Sequence, residues 1–475
     1  MSPAPRALHP AFRGKRLAVV LAGGGALGAY EVGVLRVLEA LRVRPAILAG
    51  VSVGAINAVA WLAHGFRTQP LELMWGTLRG SHIGMHWSLL LLRALGALVA
   101  VLGVAEALLS LMSSQELNAV RLFRRSVSAQ SDVQTVLLDV MAWLVIATMG
   151  FLLLVLSGPA DRGLARLSGQ MQNGRINRLL GRGLLVAAAL HLLTLGFAVP
   201  WPHRFSATLI LVGAAVWMLT RPGRPGVRAR RTLMRLLPET RGRGIWPSAP
   251  RRKVIDRLVE DGDARLLLDP DTHLMISACD LQSGRIVHFI NWRDPSESFR
   301  ARLGDVLGEA MPMLQPPDLL RAALASSAIP LLYEPVRIFG RDYVDAGPFS
   351  NQPIHVAIAD DADAVLVVLL SRSGGMSAWG NDPHLMELGG RLIELASWRE
   401  LQSELRALPR EWTRTADAAT GEPARVCVVE PETPLPGSVL TFDPTLASEL
   451  MDRGEADAWL ALERAGWCPP VENAV

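Results

Sequence analysis

Charged residues make up only 19% of this chain, against about 25% in an average soluble protein. Cysteine is scarce: Cys279, Cys427 and Cys468 are the only three, and the lack of any C-x-x-C pair argues against a disulfide framework. Lysine is nearly absent, with Lys15 and Lys253 the only two among 48 basic residues. The positive charge is therefore almost all arginine, which base composition explains as readily as a nucleic-acid ligand does. No nucleic-acid partner is expected. No signal peptide is expected either, because Leu17–Ala22 runs straight into Gly23-Gly24-Gly25 without a small-residue cleavage pattern. Apolar residues, by contrast, are plentiful at 50%, and mean hydropathy is +0.27. Such material offsets chain entropy and excludes disordered and fibrous classes. A length of 475 residues suits two to three structural units.

Three stretches differ in character. In residues 1–80, Leu17–Ala22 is a short apolar run of the kind found in strands buried on both faces. Val34, Leu35, Leu38 and Leu41 then recur at helical spacing, Ala46–Ala49 predicts a second strand, and Ala55–Ala63 a small-residue helix. That order predicts a parallel sheet with crossover helices, an α/β fold. Residues 81–253 are of another kind. Val140–Ser157 carries no charge over its 18 residues, Gly183–Val199 is similar, Ser206–Thr220 is shorter, and Leu89–Met112 is apolar apart from Arg93 and Glu106. These lengths approach a membrane span, and buried helices of a large helical domain are the alternative. Basic runs at Arg162–Arg182 and Arg221–Lys253 read as solvated linkers or, beside spans, as segments facing anionic headgroups. Residues 254–475 return to mixed α/β. Strands are predicted at His273–Cys279, Arg285–Asn291, Ala364–Leu370 and Arg425–Glu430, and helices at Asp318–Ser326 and Leu385–Leu408. Asp360, Asp361 and Asp363 mark the polar start of a strand, and no metal site is expected.

Gly50-Val51-Ser52-Val53-Gly54 is G-x-S-x-G between a predicted strand and a predicted helix. A serine in so tight a turn is held outward, and the following helix N-terminus faces the negative charge that develops on attack. Gly23-Gly24-Gly25-Ala26-Leu27-Gly28 matches G-x-G-x-x-G. A dinucleotide site would need an acid at the end of the second strand, where this chain has Leu48-Ala49-Gly50 and the serine turn. The glycine N–H groups are left to form an oxyanion hole, or simply a turn. The serine needs a base. Only one strand precedes the serine turn, so the order of an α/β-hydrolase is wrong. The ten histidines fall on apolar, strand or loop positions and read as non-catalytic. The remaining candidate is Asp345, in Arg341-Asp342-Tyr343-Val344-Asp345-Ala346-Gly347-Pro348-Phe349-Ser350-Asn351-Gln352-Pro353.

Gly23–Gly28, Gly50–Gly54, and Ala325-Ser326-Ser327-Ala328-Ile329-Pro330 leading to Asp345 together resemble the patatin-like phospholipase family. The Thr441-Phe442-Asp443 segment and the helix over Leu446–Leu462 resemble its C-terminal part. The resemblance implies a mainly parallel sheet flanked by helices and a cofactor-free Ser–Asp dyad that hydrolyses lipid acyl esters. Ser52 would be the nucleophile, Asp345 the base, and the N–H groups of Gly24, Gly25 and Ala26 the oxyanion hole. Gly23, Gly28, Gly50, Gly54, Ala346 and Gly347 complete the motifs. The family's third motif usually reads Asp-Gly-Gly or Asp-Gly-Ala, so Ala346 departs from it. If that position takes positive φ, alanine carries strain of about 1 kcal/mol or more. The insertion over residues 81–253 is also foreign to the basic pattern. An acyl-transferase or thioesterase with the same dyad, and a silent lipid-binding scaffold, are the rival functions.

The expectation is thus a membrane-integrated serine esterase acting on membrane lipid, its catalytic domain split into residues 1–80 and 254–475. Ser52 and Asp345 must meet, so both halves lie on one side and the number of spans between them is even. Four spans put both longer basic runs on the catalytic, cytoplasmic side. Two spans remain if one segment lies on the membrane.

Overall fold

The computed structural model describes residues 7–85, 100–105, 147–148, 246–374, 385–417 and 419–469. The chain divides into two compact units, residues 1–85 with 242–475 and residues 86–241. In the second unit residues 100–105 and 147–148 are helical. Apart from these, the apolar runs Leu89–Met112, Val140–Ser157, Gly183–Val199 and Ser206–Thr220 lie outside the described residues; of the insertion expected over residues 81–253 as an inserted all-α membrane region, residues 81–85 and 246–253 are also described and belong to the first unit. Among the described residues no helix is long and apolar enough to cross a membrane.

The first unit is built on a sheet whose parallel heart comes from both halves of the chain. Strands β1 (Leu17–Leu21) and β2 (Ile47–Val51) pair with each other, β1 pairs with β8 (Ala364–Val368), and β2 pairs with β3 (His273–Asp280), all in parallel. β9 (Val426–Val429) extends one side in parallel, while β4 (Ile286–Ile290) runs antiparallel to β3 and carries β5 (Glu309–Pro312) beyond it. The order is β5-β4-β3-β2-β1-β8-β9. β6 (Val336–Ile338) and β7 (Arg341–Asp345) form a hairpin whose second strand pairs antiparallel with the end of β3.

Alternate residues of the central strands feed two cores, one on each face. Val19, Leu21, Leu48, Leu366 and Val368 point into one; Ala18, Val20, Ile47, Ala49, Val365 and Val367 point into the other. This is why the strands read as unbroken apolar runs rather than as alternation. Helices α1 (Ala29–Ala40), α2 (Val53–Ala63) and α3 (Gln69–Thr77) cover the first face. They are joined by α4 (Ser248–Glu260), α6 (Pro316–Ser326) and α9 (Pro444–Arg464). On the second face lie α5 (Glu297–Leu307), α7 (Ile354–Ala359) and α8 (Leu385–Ala407). Helix α4 holds the end of the basic run read as a solvated linker or a segment facing anionic headgroups, and its Arg251 is buried. The acidic trio at the start of β8 is taken up locally. Asp360 bonds His273 and Arg16, Asp361 bonds Arg302, and Asp363 accepts the Arg16 N–H. No cluster suited to a metal ion occurs among the described residues.

Candidate active site

The carboxyl ends of β1 and β2 lie side by side, which puts the glycine loop and the G-x-S-x-G turn on one edge of the sheet. Ser52, between β2 and α2, has φ 55° and ψ −121°. A side chain rarely adopts this backbone, at a cost of about 1–3 kcal/mol, and packing holds it there. The Ser52 N–H donates to Ser326 Oγ at 2.8 Å, and Ser326 Oγ donates to the Ser277 carbonyl at 2.6 Å. Gly54 supplies room rather than conformational freedom, since a β carbon there would overlap the Leu21 carbonyl oxygen. Gly50 lies within β2, and Gly28 directly precedes α1.

Asp345 arrives at the same edge from the far end of the sequence. β7 places it opposite Ala278 on β3, one residue beyond the Ser277 that pairs with Val51. Its N–H donates to the Ala328 carbonyl at 2.9 Å. Ser52 Oγ donates to Asp345 Oδ2 at 2.5 Å, and the Gly347 N–H donates to Oδ1 at 2.8 Å. Asp345 is 3% exposed. Burial pushes its carboxyl up to about 6, opposed by the Ser52 and Gly347 hydrogen bonds and the Arg251 charge. Ala346 is buried and does not take positive φ, so the expected strain is absent. The turn is closed instead by the Ala346 carbonyl, which accepts the N–H groups of Phe349 and Ser350 at 2.8 Å each.

The glycine loop packs directly on the serine, for a β carbon on Gly23 would lie 2.9 Å from Ser52 Cβ. Asn351 clamps Gly23 at both ends: its Oδ1 accepts the Gly23 N–H at 2.9 Å, and its Nδ2 donates to the Gly23 carbonyl at 3.1 Å. Gly25 has φ 56°, and its neighbour Ala26 donates its N–H to the Val439 carbonyl at 2.9 Å. That bond corrects the expectation for Ala26, whose donor is already engaged. Among the described residues the N–H groups of Gly24 and Gly25 have no acceptor, nor does that of Val53, the first donor of α2.

Sequence reasoning missed the backing of this edge. On α8, Glu404 accepts the Ile354 N–H at 3.2 Å, Glu400 accepts that of Asn351 at 3.4 Å, and Ser397 Oγ bonds the Gly347 carbonyl. Burial pushes the Glu400 carboxyl up to about 7. Burial and the charge of Glu400 hold Glu404 well above the carboxylate range. The i, i+4 spacing of two glutamates beside the apolar Leu401 and Leu405 was the available signal. None of the described histidines bonds Ser52 or Asp345: His64 meets the Leu258 carbonyl, His273 meets Asp360, His288 meets Ser277 Oγ, and His355 meets the Glu404 carbonyl.

The raised Asp345 carboxyl has a thermodynamic consequence. Its folded value lies above the ordinary 3.8, so folding favours the neutral form and stability is lost as pH rises through about 6. Asp345→Asn, which carries no charge, is therefore expected to unfold at a higher temperature than the parent above pH 6. The gain should reach about 3 kcal/mol at most and vanish near pH 4. Thermal melts across that range check it.

The patatin-like phospholipase profile matches residues 19–358, a range that contains Ser52, Asp345 and most of the sheet. Among solved structures the chain is similar to VipD from Legionella pneumophila, at 12% identity and a TM-score of 0.35. That match covers 98% of this chain and 71% of VipD. No curated protein matches the sequence. With most of its length under one family profile, the chain belongs to the patatin-like phospholipases, a family of lipid acyl hydrolases.

Proposed function

We propose that the protein is a serine lipid acyl hydrolase of phospholipase or lysophospholipase type, with Ser52 as nucleophile and Asp345 as its base. The observation that carries this reading is the 2.5 Å hydrogen bond from Ser52 Oγ to a buried carboxylate, made from a strained strand-to-helix turn. Asp345 takes the Ser52 proton as Oγ attacks the ester carbonyl. The oxyanion forms against the N–H groups of Gly24 and Gly25, with that of Val53 at the α2 N-terminus. Collapse breaks the ester C–O bond, and the departing alcohol takes the proton from Asp345. Water, deprotonated by the same carboxylate, then releases the fatty acid from Ser52. A carboxylate near 6 is a better base than one at 3.8 and is still ionised at neutral pH.

Sequence supports placing this enzyme in a membrane with its catalytic unit cytoplasmic. The apolar runs between residues 86 and 241 suit four spans, and β1 and β2 share one sheet with β3 and β8, so any crossings between them are even in number. In a cysteine-free background, an impermeant thiol reagent on intact cells is expected to label a cysteine at Ser128 and not one at Ser168. Silence at 128 contradicts four spans, and labelling at 168 contradicts the cytoplasmic placement.

For the chemistry, Ser52→Ala should lower p-nitrophenyl ester hydrolysis by about 10³-fold or more, whereas His355→Ala stays within about twofold of the parent. Only ionised Asp345 accepts the proton, so kcat/KM should fall below a pH of about 6. A Ser52→Ala enzyme of parental rate assigns the nucleophile elsewhere.

A further inference from the structure

Arg251, on α4, is 4% exposed yet has no carboxylate partner among the described residues. An unpaired buried cation is costly, so something must hold it. Its guanidinium donates to the Ser327 and Leu324 carbonyls, at the C-terminal end of α6, where a positive charge is favoured. It also lies 4.0 Å from the centre of the Tyr333 ring. Nε has no partner.

The turn it grips is the one that holds both halves of the dyad. Ser326 Oγ receives the Ser52 N–H, the Ser327 carbonyl receives Arg251, and the Ala328 carbonyl receives the Asp345 N–H. Three consecutive residues thus tie the nucleophile, a buried cation and the base to one short piece of chain. We propose that Arg251 is a positioning residue for the Ser52–Asp345 pair, acting through the Ser326–Ala328 turn and through its own charge. This inference rests on the dyad reading above.

Burial brings Arg251 down only to about 10, so it is charged at neutral pH, and its charge favours ionised Asp345. The elements packed on α4 also bring His64, Glu72, His82, Asp318 and Arg321. Of the surrounding groups, Tyr333 and Asp345 act on the Arg251 charge.

The test is steady-state ester hydrolysis by the full chain across pH, with Arg251→Met, Arg251→Gln, Arg251→Lys and Ser52→Ala compared at equal folded fraction. Met and Gln are expected to lower kcat about tenfold or more with KM nearly unchanged. They should also move the acid limb of kcat upward by about half a pH unit or more. Lys keeps the charge but loses the two-carbonyl fork, so it should hold the limb in place while recovering only part of kcat. If Met does not fold, Gln decides the matter, because its amide still reaches a carbonyl without the charge. Parental kcat and acid limb in Gln, beside an inactive Ser52→Ala, overturn the role of Arg251 alone. An active Ser52→Ala overturns the dyad and this inference with it.

Discussion

The hydrogen bond from Ser52 Oγ to Asp345 Oδ2 joins two buried side chains 293 residues apart. Much of the fold is needed to make it. Strands from before the insertion must enter the same parallel sheet as strands from after it, so that the carboxyl end of β2 meets β3. β3 in turn must bind β4 along one stretch and β7 at its end, which delivers Asp345 one register step beyond the serine turn. The Ser326–Ala328 turn then fixes both backbones at once. A positive φ at Ser52 persists because these neighbours determine its position from several sides.

Charge at this edge is controlled by burial as much as by pairing. Asp345 is buried and lifted to about 6, low enough to be ionised at neutral pH and high enough to accept a proton. The two N–H and O–H donors that bond it, and the Arg251 cation beyond the turn, keep it from rising further. Glu400 and Glu404, one turn apart on α8, are also lifted, and each accepts a backbone N–H from the segment that follows Asp345. That segment carries the Asn351 clamp on the glycine loop. The glycine loop and the segment after Asp345 are thus fastened together by the Asn351 side-chain amide.

Much of this was legible in the residues, and the pattern of success has a physical basis. β1, β2, β3, β4, β8 and β9 are short apolar runs bounded by polar or glycine residues, and local patterning is enough to find them. Ser52 announces itself because strand, tight turn and helix are contiguous. Asp345 does not. It closes β7, a short strand reading Arg-Asp-Tyr-Val-Asp at the sheet's margin, and its motif only acquires meaning through resemblance to a family. The Ala26 donor could not be judged from the sequence, because its acceptor is a carbonyl more than four hundred residues away. Ala346 stands where the family's motif usually has glycine, and whether that position takes positive φ is not written in the sequence; the turn closes without it. In the sequence Arg251 is one charge among many in a basic run. Its burial depends on where α4 packs, which no local pattern records.

The central claim is that Ser52 is made nucleophilic by Asp345. Its most direct measurement is reaction of the full chain with a fluorophosphonate, followed by peptide mass mapping. The account predicts a single adduct on the peptide containing Ser52, and none at the same exposure in Asp345→Asn. An adduct on another residue, or undiminished labelling of Ser52 in Asp345→Asn, would contradict it.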